Sequence, residues 1–152
     1  LVEKLVNGHT TTLGFASGAV AGLVAITPAA GFVDPFGALI IGLAAGAICF
    51  YALKIKSTFN FDDSLDVVAV HLVGGVVGSL LVGILAVDGV GGGEQFGIQL
   101  ISVLIAIVFT AVLTFVIATI IDRTIGLRAG EDDEQQGLDL RLHNEQGYVL
   151  TE

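Results

Sequence analysis

The residue with the most chemistry to offer is His71. It follows Asp62, Asp63 and Asp66, precedes Gly74, Gly75 and Gly78, and is succeeded by no ionisable residue until Asp88. An imidazole exchanges a proton near neutral pH, and one nitrogen donates while the other accepts. Within so apolar a stretch the ring must face a cavity or a partner, and an intramembrane histidine reads first as a functional residue. If Asp62 and Asp63 mark an interface, His71 lies eight or nine residues further in. A continuous helix then carries it about 12–14 Å into a hydrocarbon core ~30 Å thick. Gly74, Gly75 and Gly78 stand at i+3, i+4 and i+7, so they share its helix face. The ring would project over a face without side chains, beside a narrow gap suited to a small molecule. The plainer alternative is a single interhelical hydrogen bond. Asp62, Asp63 and Asp66 read as caps for the following helix, whose free amides and dipole favour carboxylates. Asp66 is five residues before His71, about 140° around a helix, so no Asp–His pair is expected on this segment.

Other chemistry is sparse. There is no His-Glu-x-x-His, Gly-x-Ser-x-Gly or phosphate loop, and no Cys/His cluster with metal spacing. His9 and His143 lie far along the chain from His71. No catalytic residue, metal site or cofactor is therefore assigned, and no enzymatic activity is expected. The single cysteine, Cys49, excludes an intrachain disulfide and reads as a small buried side chain. A net charge of −9 with no basic stripe argues against a nucleic-acid partner.

The elements that must position His71 are long apolar helices. The 152 residues are 54% hydrophobic and only 14% charged, with mean hydropathy +0.90; soluble domains are about 25% charged. Uncharged runs cover 13–30, 36–53, 67–87 (His71 its one ionisable residue) and 98–121. Each is long enough to cross a bilayer as a helix, which takes about 20 residues. None keeps the polar face of a soluble helix or the alternation of a barrel strand. The fold class is all-α: a polytopic membrane protein with four spanning helices and membrane lipid as its solvent.

The spans divide the chain into an end, 1–12; two spans with a short loop, 13–53; a polar loop, 54–66; two spans with a Gly-rich loop, 67–121; and a tail, 122–152. Lys4, Lys54, Lys56, Arg123, Arg128 and Arg141 all fall in the first end, the middle loop and the tail. The remaining loops carry Asp34, Asp88 and Glu94 but no Lys or Arg. The positive-inside rule makes the basic side cytoplasmic, with both ends of the chain on it. Glycines four apart, at 14, 18 and 22, at 42 and 46, and at 74 and 78, predict close helix approach in every one of the first three spans. Pro28, after Thr27, is expected to bend or stop the first. The absence of methionine, even at position 1, suggests the C-terminal part of a longer protein, one that needs its missing spans to fold.

Several of these stretches resemble the ammonium transporter (Amt/Mep/Rh) family. They are the Ala16-Ser17-Gly18 to Gly31 segment with Gly37 to Gly42, and Asp62-Asp63-Ser64-Leu65-Asp66 through Val70-His71-x-x-Gly74-Gly75. The tail adds Gly126-Leu127-Arg128, an acidic run, Gly137-Leu138-Asp139, His143, Glu145 and Tyr148, which resembles the Amt branch. Leu72 stands where the family usually has a glycine beside the histidine, and Asn144 and Gly147 where it has glycine and alanine. The resemblance implies an eleven-span fold, of which this chain supplies about the last four spans, assembled as a homotrimer in the cell membrane. It implies a narrow pore for ammonium or ammonia past a histidine pair, with His71 as one member. It implies also that the tail, through Gly126, Leu127, Arg128, Gly137, Leu138, Asp139 and Tyr148, is regulatory and responds to a PII-type protein. An ammonium sensor signalling through that tail is the alternative.

Overall fold

A computed structural model of the chain describes residues 1–87 and 89–147. It falls into two units, Leu1–Ala106 and Ile107–Glu152. The helices are α1 (Val2–Asn7), α2 (Thr12–Ile26), α3 (Pro35–Ala52), α4 (Lys54–Phe59), α5 (Gly74–Leu85), α6 (Gly93–Thr124), α7 (Glu131–Gln136) and α8 (Leu138–His143). Four stretches are long and apolar enough to cross a membrane: Thr12–Ala29, Pro35–Phe59, Val68–Leu85 and Gly93–Thr124. Their existence follows from the solvent. In hydrocarbon every backbone amide needs a partner within its own segment, which a helix provides.

Local chemistry sets the helix ends. Thr11 caps α2 by accepting from the Gly14 amide at 2.9 Å, while its own hydroxyl donates to Glu3 Oε1 at 2.9 Å, tying α1 to the start of α2. At its far end α2 stops at Ile26, where Thr27–Ala29 tighten into a 3₁₀ turn with Pro28 inside it, as the Thr27-Pro28 pair predicts. Asp34 caps α3, accepting from the Gly37 amide at 2.7 Å with Pro35 in the first turn. The loops after α2 and α5 meet, Val87 N–H donating to the Phe32 carbonyl at 2.9 Å. These are the two connections without Lys or Arg, so one end of the first unit gathers both.

In the first unit α2, α3 and α5 pack on one another. The core is made of small side chains. Ala25, Ala29, Ile41, Ala45 and Val82 form one buried cluster, and Ala21, Cys49 and Val70 a second. Cys49 is buried, as expected of a small apolar side chain. No residue of α6 is buried among those described, and large apolar side chains such as Ile101, Ile105 and Phe109 stand exposed along it. Water would penalise such a surface; lipid does not.

The glycine expectation needs correction. A Cβ on Gly78 would overlap the Ala25 backbone, and one on Gly74 would touch Cys49 Sγ at 3.4 Å, so the third span uses its glycines for close approach. At Gly18, Gly22, Gly42 and Gly46 a Cβ would meet open space. The α2–α3 contact runs instead through the alanines and Ile41. Both faces of these helices carry small residues, and only the positions of their neighbours select which face packs.

In the second unit α6 ends at a left-handed Gly126 (φ 84°), whose amide donates to the Ile121 carbonyl at 3.1 Å. The tail then forms two short helices joined at Gly137 (φ 96°). The tail's polar composition and its ordering follow different rules, because specific ion pairs hold it.

Candidate functional site: the π-helical turn around His71

The third span does not begin as an α-helix. Val68–Val73 form a π-helical turn, with i→i+5 hydrogen bonds, before α5 continues from Gly74. Such turns are rare and concentrate at functional sites. His71 lies within it and is exposed, while its neighbours Ala69 and Val70 are buried at 4% and 5%.

Two expectations about His71 change. Residues 62–66 are a turn and not a helix, the Asp66 amide bonding the Asp63 carbonyl at 3.3 Å with Asp66 at φ 56°. Helical backbone starts at Val67, so His71 stands about 6 Å along the axis, not the 12–14 Å of a helix continuous from Asp62. It lies nearer the acidic end of its helix than the midpoint. The shared face also divides. Val70, Gly74, Gly78 and Val82, each four residues apart, form the buried row. Gly74 and Gly78 therefore belong to the packed interface and not to His71's face. Gly75, where a Cβ would meet nothing, lies outside that packed row. The i→i+5 turn advances less per residue than the ~100° assumed for an α-helix, which displaces the projected face.

The three aspartates do different work. Asp63 is the cap: its Oδ1 accepts from the Val67 amide at 2.8 Å and its Oδ2 from the Val68 amide at 2.9 Å. The Val68 bond above all, helped by that of Val67 and the nearby Lys56 charge, holds its carboxyl below the usual range although desolvation opposes it. Asp66 is no cap. Its side chain pairs with Lys56 Nζ at 2.5 Å, and its left-handed backbone is tolerated by Asp. Asp62 is exposed. Lys56 also donates to the Asp63 carbonyl at 3.2 Å, so a lysine that counted in the sequence only as positive charge joins both carboxylate residues. Its pairing could not be read from spacing, since α4 meets the start of the π turn only through folding.

A cavity of about 510 Å³ opens between α2 and α3, lined among others by Glu3, Thr11, Gly18, Gly46, Phe50 and Asp66. Val70 borders it and His71 does not. Among the described residues no three of His, Cys, Asp and Glu come together as a metal set.

In the tail, Arg128 makes a two-pronged bond to Glu134, Nε to Oε1 at 2.7 Å and Nη2 to Oε2 at 2.9 Å. That bond holds the Glu134 carboxyl below its ordinary value. Arg141 Nε pairs with Asp133 Oδ1 at 2.8 Å and so joins α8 to α7. Of the tail residues singled out, Gly126 and Gly137 supply the left-handed bends, and Leu127 and Leu138 are exposed. Asp139 accepts through its backbone carbonyl from the Glu145 amide at 3.0 Å. Tyr148 lies outside the described residues. The acidic partners Asp133 and Glu134 were not singled out from sequence, because spacings of six and eight residues are not those of a helical pair.

Residues 1–148 match the model of the Ammonium Transporter Family. An ammonium transporter of Mycobacterium bovis is 44% identical over 164 residues, covering 97% of this chain and 34% of that protein. The crystal structure of Saccharomyces cerevisiae Mep2 superimposes with a TM-score of 0.78 at 36% identity, covering 86% of this chain and 33% of the other. A structure described as a sensor Amt protein gives 0.83 at 30% identity, covering 91% and 36%. The chain thus spans about a third of the length of the relatives it matches. With four membrane-capable helices in order and a match across nearly all of its residues, this chain belongs to the ammonium transporter family.

Proposed function

We propose that the chain carries part of the path by which a membrane transporter conducts ammonium or ammonia, with His71 lining that path. One observation carries the reading: an exposed imidazole in a π-helical turn at the start of an otherwise uncharged span. The open position at Gly75 leaves room for a small molecule on the side of the helix that the packed row leaves free, and the names of relatives support ammonium or ammonia as that molecule. The ring offers both a donor and an acceptor and exchanges a proton near neutral pH, which suits a substrate that passes between NH4+ and NH3. The path closes against spans outside this chain, in a homotrimer of the cell membrane. The basic segments 1–12, 54–66 and 122–152 lie on the cytoplasmic side, where the tail residues Gly126, Leu127, Arg128, Gly137, Leu138, Asp139 and Tyr148 receive a PII-type protein.

The test replaces His71 by Asn in the full-length protein in liposomes. Ammonium flux, or its selectivity over potassium, should change ~10-fold or more, an effect of ~1.4 kcal/mol on the barrier. Unchanged flux and selectivity in a correctly folded variant would remove His71 from the path. The likeness to a sensor Amt protein favours a second reading, a sensor that signals through the tail. Deleting 126–152 separates them: a sensor keeps ligand binding and loses signalling, whereas a transporter shows altered flux.

A further inference from the structure

We infer that Lys56 and Asp63, with Asp66, are positioning residues for His71: together they hold the start of its helix in the π-helical register. The inference rests on the reading of His71 as a conduction residue and adds what aims it. The sequence Val68-Ala69-Val70-His71-Leu72-Val73 contains no proline or glycine to force an i→i+5 turn. A π turn persists in such a segment only where its surroundings hold it. On the far side the buried row beginning with Val70 and Gly74 is fixed against Ala21, Val24 and Cys49. On the near side Asp63 fixes which amides open the helix, its two oxygens taking those of Val67 and Val68.

Asp63 is held in turn. Its carbonyl accepts from Lys56 Nζ, and the same ammonium pairs with Asp66, whose carbonyl receives the Val70 amide at 2.9 Å. Lys56 belongs to α4 and so anchors the turn from a separate element. Relaxing the turn to an α-helix against a fixed Gly74 rotates everything before it by about 100°. Val70 and His71, inside the turn, would rotate by part of that angle, and both would change direction relative to the fixed row from Gly74 onward. The clamp at Lys56 opposes that rotation from one end, as Val70 does from the other.

The experiment compares Lys56→Met and Lys56→Arg in the full-length transporter, with His71→Asn beside them. Three quantities are read: ammonium flux, the side-chain ¹⁵N resonances of His71, and thermal stability in detergent. Lys56→Met should shift the His71 resonances and lower flux ~10-fold or more, as misplacements of ~1 Å at a working group do. Lys56→Arg, keeping the charge, should restore both. A folded Lys56→Met protein with unmoved His71 resonances overturns the inference, whatever its flux. Shifted resonances that Arg fails to restore overturn it also. If His71→Asn leaves flux intact, the conduction reading fails, while the resonances still decide whether Lys56 aims the ring.

Discussion

Gly78→Ala is a single methyl, and the packing of the third span against α2 at Ala25 makes it costly. The added Cβ would overlap the Ala25 carbonyl oxygen and stand 2.7 Å from its carbon and 2.8 Å from its Cα. Overpacking that side chains can absorb costs ~1–3 kcal/mol. Here the obstacle is main chain, with no rotamer to change, so two helices must separate and loosen the Ala25–Val82 cluster. A loss of ~3 kcal/mol follows, roughly two orders of magnitude in the ratio of folded to unfolded protein. Gly74→Ala is the internal control. It meets Cys49 Sγ at 3.4 Å and Val24 Cγ1 at 3.5 Å, ordinary contacts, and alanine recovers up to ~1 kcal/mol in helix propensity. Its net effect should stay within ~1 kcal/mol. Equilibrium unfolding of the full-length protein in mixed micelles measures both. Adding Ala25→Gly should not rescue Gly78→Ala, because the overlapped atoms remain when the methyl of Ala25 is gone. Equal stability of the two glycine variants, or rescue by Ala25→Gly, would refute this account of the interface.

Further outcomes follow from the caps and ion pairs. Asp34→Ala removes the acceptor for the Gly37 amide and should cost ~1 kcal/mol in the same unfolding measurement, with Asp34→Ser recovering most of it. Glu134 has its carboxyl depressed by Arg128, so its contribution to tail order is fully present above the ordinary Glu value of about 4.3 and is lost as pH falls through the lowered folded value. Protection of the α7 amides, corrected for the intrinsic pH dependence of exchange, should accordingly fall on acidification below pH ~4; Arg128→Gln should return the Glu134 titration, followed by carbonyl NMR, to the ordinary value.

Much of the candidate site was legible from residue types. The acidic approach, the lone histidine and the glycines after it were all visible in one stretch. Their division of labour was not. Asp62, Asp63 and Asp66 are equivalent as potential caps, yet only Asp63 reaches the amides of Val67 and Val68, because the turn at Asp66 sends that carboxylate to Lys56. Helical arithmetic grouped Gly74 and Gly78 with His71, and the π turn moved them into the interface. In the tail the charges were evident, but the pairing of Arg141 with Asp133 required the bend at Gly137, and that of Arg128 with Glu134 the turn that leads into α7.

By itself the sequence determined that four apolar segments are helices and that Pro28 stops the first of them. Those properties are local or depend on lipid as solvent, which leaves an uncharged backbone no alternative to its own hydrogen bonds. The tertiary structure decided which small-residue face of each helix packs, and that alanines rather than glycines join α2 to α3. It also decided that His71 stands in a π turn beside a lysine drawn from another helix. Each of these depends on which surface a distant segment brings within van der Waals or hydrogen-bonding range, and no spacing along the chain encodes that distance.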